Sequence, residues 1–260
     1  MKISHLPKLG LVAALSCATV AFAQNPFAGT WKVDYSKSHV TGDTITFSPE
    51  ANGKVKFTSD NISYSFKTDG SAGTDPFGET ERWTKENDNS WKQVSQVGSQ
   101  TVTDIFKVSD DGKTLTNTES GTKPNGDPIN SSTSYTRVAP GKGIFGKWRS
   151  TKVSNDTPNT AQIDANGDNG IIWHIPQMKA EVNLDFNGKE TTPTGPTVPK
   201  GLTLAATKTG PRSFKLIEKM NGKLLFTGRY TVSADGKTMT EYGHAPGAAA
   251  PTKVVFQKVS

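Results

Sequence analysis

Residues 108–116, Val-Ser-Asp-Asp-Gly-Lys-Thr-Leu-Thr, return almost unchanged as Val-Ser-Ala-Asp-Gly-Lys-Thr-Met-Thr at residues 232–240. Two further pieces recur in the same order. Phe-Ala-Gly-Thr-Trp-Lys at 27–32 returns as Ile-Phe-Gly-Lys-Trp-Arg at 144–149, and Tyr-Thr-Arg-Val at 135–138 returns as Phe-Gln-Lys-Val at 256–259. An opening, a late hairpin and an end that recur in one order predict two tandem copies of a unit of about 120 residues.

Within each copy, apolar and polar residues alternate. Val55 and Phe57 alternate with lysines in the first copy, and Val182 and Leu184 alternate with Asn183 and an aspartate in the second. A period of two indicates strands with one buried face. Asn-Gly and Asp-Gly pairs recur between these stretches, as expected for hairpin turns. The pattern predicts an all-β chain with roughly eight to ten short strands per copy.

The sequence therefore predicts two tandem antiparallel β-barrels of about 115 residues each, because closing a sheet removes its exposed edges. We place the first barrel at residues 24–139, a linker at 140–143 and the second barrel at 144–260. The linker, Pro-Gly-Lys-Gly, is short and turn-forming, so the two units should be neighbours.

Gly29-Thr30-Trp31 and Gly146-Lys147-Trp148 each open a copy, and the chain thereby resembles the lipocalin-like proteins, which begin with Gly-x-Trp. More narrowly, it is similar to secreted bacterial lipocalin-like proteins of unknown function, which share a Gly-Thr-Trp-Lys opening and a Val-Ser-x-Asp-Gly-Lys-Thr-Met-Thr hairpin. The resemblance implies a lipocalin-like barrel but no particular ligand. It also implies a structural, barrel-closing role for the two tryptophans and for the basic residue that packs over each within its own repeat, Arg137 over Trp31 and Lys258 over Trp148.

The N-terminus reads as a secretory signal over residues 1–23. Lys2 and Lys8 precede a short apolar stretch, and Ala21-Phe22-Ala23 forms a small-x-small cleavage site. A lipoprotein signal ending at Cys17 is the alternative, although Ala14 stands where a leucine is usual. The prediction is an exported protein, periplasmic or extracellular. No apolar run reaches the roughly 18 residues of a membrane-spanning helix.

Charge divides unevenly between the copies. Residues 24–139 hold 12 Lys+Arg and 15 Asp+Glu, whereas residues 140–260 hold 16 and 9. The basic residues are dispersed, with no run of five, so nucleic acid is not a predicted partner. A solvated β-surface accounts for this pattern. The alternative is an envelope structural or interaction module whose basic second domain contacts an anionic polymer or a protein.

Motifs for catalysis, metals and cofactors are missing from the sequence. His39, His174 and His244 have no ligand spacing, and the single Cys17 falls in the signal. Glu79 and Glu81 share a strand face but read as solvated charge beside Arg82 and Lys85. The sequence therefore predicts no enzyme, no catalytic residue, no metal and no cofactor.

What remains is a barrel interior that binds a small apolar or amphipathic molecule. Amphipathic aromatic side chains suit such a lining because their polar ends need partners. The alternative is that they fill the barrels. The candidate lining residues are Tyr35, Tyr64, Trp83, Trp91, Tyr135, Trp173 and Tyr230. The Pro/Gly-rich segments Asp69–Gly78 and Thr191–Gly201 are predicted to be surface loops that flank the barrel mouths.

Overall fold

The computed structural model describes residues 25–59, 62–97, 99–155, 160–248 and 250–260. The predicted signal segment and Cys17 lie outside these residues. Ten strands come from the first part of the chain: β1 (Gly29–Val33), β2 (Thr44–Pro49), β3 (Lys54–Ser59), β4 (Ile62–Lys67), β5 (Asp69–Thr74), β6 (Thr80–Asn87), β7 (Ser90–Val97), β8 (Gln100–Val108), β9 (Thr114–Thr122) and β10 (Pro128–Arg137).

Ten equivalent strands follow: β11 (Gly146–Asn155), β12 (Thr160–Ala165), β13 (Gly170–Ile175), β14 (Ala180–Asp185), β15 (Asn187–Thr191), β16 (Leu202–Gly210), β17 (Ser213–Met220), β18 (Lys223–Val232), β19 (Thr238–His244) and β20 (Thr252–Lys258). Two 3₁₀ turns, Ala51–Gly53 and Pro176–Met178, are the other regular elements of the described chain. Among all the residues that the structure describes, no helix is long and apolar enough to cross a membrane.

The strands form two antiparallel sheets of ten strands each. One runs β4-β3-β2-β11-β10-β9-β8-β7-β6-β5, and the other runs β14-β13-β12-β1-β20-β19-β18-β17-β16-β15. Each sheet curls until its two edge strands, β4 and β5 or β14 and β15, face each other across an open seam without a hydrogen-bonded ladder. The all-β prediction is confirmed, and two nearly closed barrels in tandem fit a lipocalin-like repeat fold.

The barrels do not coincide with the two sequence repeats. We call β2–β11 the first barrel and β1 with β12–β20 the second barrel. Strand β11, which opens the second repeat, lies between β2 and β10, whereas β1 lies between β12 and β20. The first barrel is thus one continuous stretch of chain, residues 44–155, inserted between the first and second strands of the second barrel. Each repeat's opening strand is exchanged into the other repeat's sheet.

Two separate cores follow from the alternation. Buried aromatic rings dominate the first barrel, where Trp83 stacks between Phe66 and Phe106 with ring centroids 4.2 and 5.3 Å away. In the second barrel, Phe214 stacks on Phe186 and Tyr230 within a more aliphatic cluster. Each barrel thus has its own hydrophobic centre.

The predicted loop Asp69–Gly78 is largely wrong. Residues Asp69–Thr74 form edge strand β5, which pairs with β6, and the connecting turn is held by Asp75, whose carboxylate accepts the backbone N–H groups of Phe77 and Glu79 at 2.9 and 2.8 Å. Glycine and small residues are compatible with a strand here because β5 has one neighbour only. The second segment, after Thr191, is a loop.

The two opening tryptophans lie in the cores of the two barrels, with exchanged partners. Trp31 and Trp148 are both fully buried, and each indole N–H donates to a carbonyl four residues earlier, at 2.7 and 2.8 Å. The expected pairing of Trp31 with Arg137 within one repeat is wrong. Arg137 covers Trp148 at 3.9 Å, and the Lys258 ammonium lies 5.4 Å from the Trp31 ring, because the strands that carry the tryptophans are exchanged.

Arg137→Lys is expected to destabilise the first barrel measurably. The guanidinium donates to the carbonyls of Gly112, Phe145 and Gly143, each at 2.6 Å, while it stacks on Trp148. A lysine ammonium cannot reproduce this planar fork. We expect a loss of about 2–4 kcal/mol, from two or more hydrogen bonds made by a charged donor. Lys258→Arg in the second barrel is the control, with little loss expected. Urea denaturation followed by the Trp83 indole resonance for the first barrel and the Met239 methyl resonance for the second measures the two variants. Equal stability of Arg137→Lys and the parent would contradict the prediction.

Candidate functional site

An apolar cavity lies at the seam of the second barrel. It has a volume of about 240 Å³, and its walls come from β13, β14, β16 and the Pro-rich loop 192–201. Its apolar lining consists of Ile175, Met178, Ala180, Val182, Pro193, Val198, Pro199, Leu202 and Leu204. The loop is tied to the barrel through Thr194, whose backbone pairs with Glu181, and through Thr197, whose hydroxyl donates to the Met178 carbonyl at 2.8 Å. The predicted surface loop therefore borders this cavity, and its place at a barrel mouth stays a prediction.

Two carboxylates, Glu181 and Glu218, line the same cavity. Glu181 is half exposed and forms an ion pair with His174 at 2.9 Å. Burial, together with the nearby Glu241, raises the pKa of Glu218 to about 7. Glu241 is itself 9% exposed and is hydrogen-bonded to the buried Tyr230, and burial raises its pKa as well. Glu218 is therefore only partly ionised near neutral pH.

Glu81 occupies the interior of the first barrel, close to its seam. The side chain is 1% exposed. Its Oε2 accepts three hydrogen bonds, from Tyr64 Oη at 3.0 Å, Trp83 Nε1 at 3.0 Å and Gln93 Nε2 at 2.9 Å. Its other oxygen, Oε1, is buried and has no hydrogen-bond partner in the protein. Burial raises the pKa of Glu81, although the three donors oppose that effect.

Further polar side chains line the same interior. Gln93, Asp104, Glu119 and Ser131 stand opposite one another on successive strands β7 to β10. Asn117 donates to Asp104 at 2.8 Å, and burial raises the pKa of Asp104 to about 6. Opposed carboxylates repel one another when both are ionised. This row of side chains therefore favours either protonation of a carboxylate or binding of a positively charged ligand.

A cleft of about 380 Å³ opens at the first barrel's seam and reaches Glu81. Phe66, Trp83 and Glu81 line it on the inside, and Lys54 and Lys67 line it at the rim. The Tyr64–Glu81 hydrogen bond spans the seam, since Tyr64 belongs to β4 and Glu81 to β6. A carboxylate, aromatic rings and an entrance thus meet in one place.

The two barrels differ in chemistry at the same structural position. The strand registers make Tyr64 equivalent to Val182, and Glu81 equivalent to Leu204. The second barrel therefore has an aliphatic pair beside its seam, where the first barrel has a hydrogen-bonded polar pair. Both pairs adjoin a cavity, so the repeats have diverged at one shared site.

The seven predicted aromatic lining residues fall into different environments. Trp83 lines the cleft of the first barrel, and Tyr64, Trp91 and Tyr135 pack in or against that barrel's core. Trp173 and Tyr230 contact edge to face in the core of the second barrel, and Trp173 also borders a separate cavity of about 220 Å³. Tyr35 lies beyond the end of β1, in the crossover between barrels, where its hydroxyl accepts a hydrogen bond from Asn155.

Sequence reasoning missed Glu81, because the interpretation of Glu79 and Glu81 as solvated charge is wrong for Glu81. Its neighbours Arg82 and Thr80 are exposed, as predicted, but Glu81 points inward. The spacing between Glu81 and Trp83 in the sequence could have predicted this orientation. Glu81 is two residues from Trp83 and therefore shares its strand face, so an inward Trp83 places the carboxylate inside as well.

Among the described residues, no group of three or more His, Cys, Asp or Glu side chains is arranged to hold a metal ion. His174 instead lies between Asp164 and Glu181 at 3.0 and 2.9 Å, on the outer face of its strand. Compared with protein-family models and with curated proteins, the chain matches neither a family model nor a curated sequence.

Proposed function

We propose that this chain is an exported, non-enzymatic binding protein for a small apolar or amphipathic molecule, held in the seam cavity of the second barrel. The observation that carries the proposal is the cavity of about 240 Å³, lined mainly by apolar side chains and bordered by a proline-rich loop. Apolar cavities of about 150 Å³ in other proteins hold a benzene molecule, so this cavity has room for a small substituted ring.

The lining explains the preferred chemistry. Nine apolar residues line the cavity together with Thr197, Glu181 and Glu218, and the raised pKa of Glu218 leaves it partly protonated near neutral pH. A ligand therefore gains from burial of its own apolar surface, about 25 cal/mol per Å². A single hydroxyl on the ligand would be accommodated beside Glu218, because a carboxyl group can accept or donate a hydrogen bond.

Binding is expected to be abolished by Val198→Phe. A ring at this position would project from the covering loop into the cavity and occupy the ligand's volume. With p-xylene as the probe, the parent should show a saturable shift of the Met178 methyl resonance, while Met239, buried in the core, serves as the internal reference. Val198→Phe should weaken p-xylene binding at least tenfold, about 1.4 kcal/mol.

Val138→Phe is the matched control, since Val138 is 44% exposed and distant from the cavity lining. It should bind p-xylene like the parent. A parent protein in which p-xylene leaves Met178 unshifted, or equal binding by both Val→Phe variants and the parent, would contradict a ligand site in this cavity.

A further inference from the structure

The buried Glu81 carboxylate of the first barrel has one oxygen that accepts three hydrogen bonds and one that accepts none. Three side chains donate to Glu81 Oε2, yet Oε1 receives no hydrogen bond although it is equally buried. A buried acceptor left without a donor typically costs about 1–3 kcal/mol. A donor brought by a ligand would recover that free energy, and it would strengthen further if it were charged.

The residue opposite Glu81 leaves room beside this oxygen. Gly73 pairs directly with Glu81 in the β5–β6 ladder, so a side chain at position 73 would point inward next to the carboxylate. A β-carbon built on Gly73 would lie 3.9 Å from Glu81 Oε1, and no other atom is closer. In the second barrel the equivalent ladder position is Thr191, opposite Leu204. The glycine therefore opens the cleft toward Oε1 in the first barrel alone.

The surroundings favour a positively charged donor. The cleft beside the carboxylate has aromatic walls, because Phe66 and Trp83 both line it, so the apolar body of a ligand would contact apolar surface there. The three donors to Glu81 are neutral side chains, so no cation within this hydrogen-bond network balances its charge. At the rim, Lys54 and Lys67 disfavour a second positive charge on the outer end of a ligand.

We propose that the first barrel binds a small monoamine with an aromatic or alkyl body, whose ammonium group enters through the seam between β4 and β5 and donates to Glu81 Oε1. This extends the proposed binding function to a second site of different chemistry, and it does not require the second barrel to be occupied. The amine's apolar body lies along Phe66 and Trp83, and its charge is balanced by the one carboxylate oxygen that the fold leaves unpaired.

The test uses 2-phenylethylamine, with 2-phenylethanol as its neutral analogue, 3-phenylpropanoate as its anionic analogue and 1,5-diaminopentane as a dication. Calorimetric titration at pH 7.5 should show the amine binding at least tenfold more tightly than each of the others. In protein with ¹⁵N-labelled tryptophan, the amine should shift the Trp83 indole resonance, because that N–H donates to Glu81, and should leave Trp31 unchanged. Amine affinity should fall as pH is lowered through the raised pKa of Glu81, since protonation removes the charge.

Glu81→Gln should weaken amine binding at least tenfold while it retains an oxygen for the three internal donors. Glu86→Gln, on the same strand but exposed, is the control and should bind like the parent. Gly73→Leu is a second variant, which fills the cleft while its first added atom meets only ordinary contact distances. It should also abolish amine binding.

Equal amine affinity in Glu81→Gln and the parent would overturn the proposal, as would an amine that shifts no first-barrel tryptophan. Binding of p-xylene distinguishes this failure from failure of the proposed function. If p-xylene shifts Met178 and no amine binds, the second-barrel site stands and the first-barrel site is refuted. If the amine binds and p-xylene does not, the reverse holds.

Discussion

A fragment of residues 42–155 should fold alone, whereas residues 156–260 should not fold until a peptide of residues 25–36 is added. The first fragment contains β2–β11, the complete first barrel, with Trp148 and Arg137 both inside it. The second fragment lacks β1, so β12 and β20 lose the strand that joins them and their inward-facing core is opened to water. The peptide supplies that strand, together with the buried Trp31 and Phe27.

Circular dichroism and thermal melts test this directly. Fragment 42–155 should show a β-type spectrum and a cooperative melt, and fragment 156–260 should gain both on titration with the peptide. A peptide with Trp31→Ala is the matched control and should bind far more weakly. If residues 24–139 and 144–260 each melt cooperatively while 42–155 does not, the sequence repeats are the folding units and the strand exchange is refuted.

The strand exchange is the feature of the fold that the sequence alone did not predict. Alternation and Asp-Gly turns predicted the all-β fold with roughly eight to ten strands per copy, and the repeat predicted two equivalent units, because those signals are local. The exchange of β1 and β11 is not local. Either opening strand carries the same Gly-x-Trp pattern and makes the same hydrogen bond to the carbonyl four residues earlier, so nothing within the strand specifies which barrel accepts it. The crossover, residues 34–43, follows β1 and adds a further backbone pairing to the second barrel, between His39 and Lys253.

The candidate sites were partly predictable for the same reason. The composition of the proline-rich segment after Thr191 predicted a surface loop. In the structure this loop borders the cavity of the second barrel. The partnership of Tyr64 with Glu81 was not recognisable, because it spans the seam between strands that share no ladder. In the sequence, the charged residues around Glu81 resemble a solvated strand face. Only the closure of the barrel places Tyr64 and Glu81 together, and only the comparison with Val182 and Leu204 shows that the two barrels differ there.

Trp31→Ala should destabilise the second barrel by roughly 3–5 kcal/mol and leave the first barrel unchanged. The side chain is fully buried, packs in the second barrel's core, donates to the Phe27 carbonyl at 2.7 Å and lies beneath Lys258. Truncation therefore leaves a cavity and an unpaired carbonyl in the second barrel, although position 31 belongs to the first sequence repeat. Trp148→Ala is the mirror variant, and it should destabilise the first barrel although it belongs to the second repeat.

Residue-resolved denaturation separates the two outcomes. The methyl resonances of Met220 and Met239 report on the second barrel, and the Trp83 indole resonance reports on the first. In Trp31→Ala the methionine signals should lose their native positions at lower urea than in the parent, while the Trp83 transition keeps its midpoint. Trp148→Ala should give the opposite pattern. A Trp31→Ala protein in which Trp83 unfolds early and the methionines do not would place Trp31 in the barrel of its own repeat, and the exchange of opening strands would then be wrong.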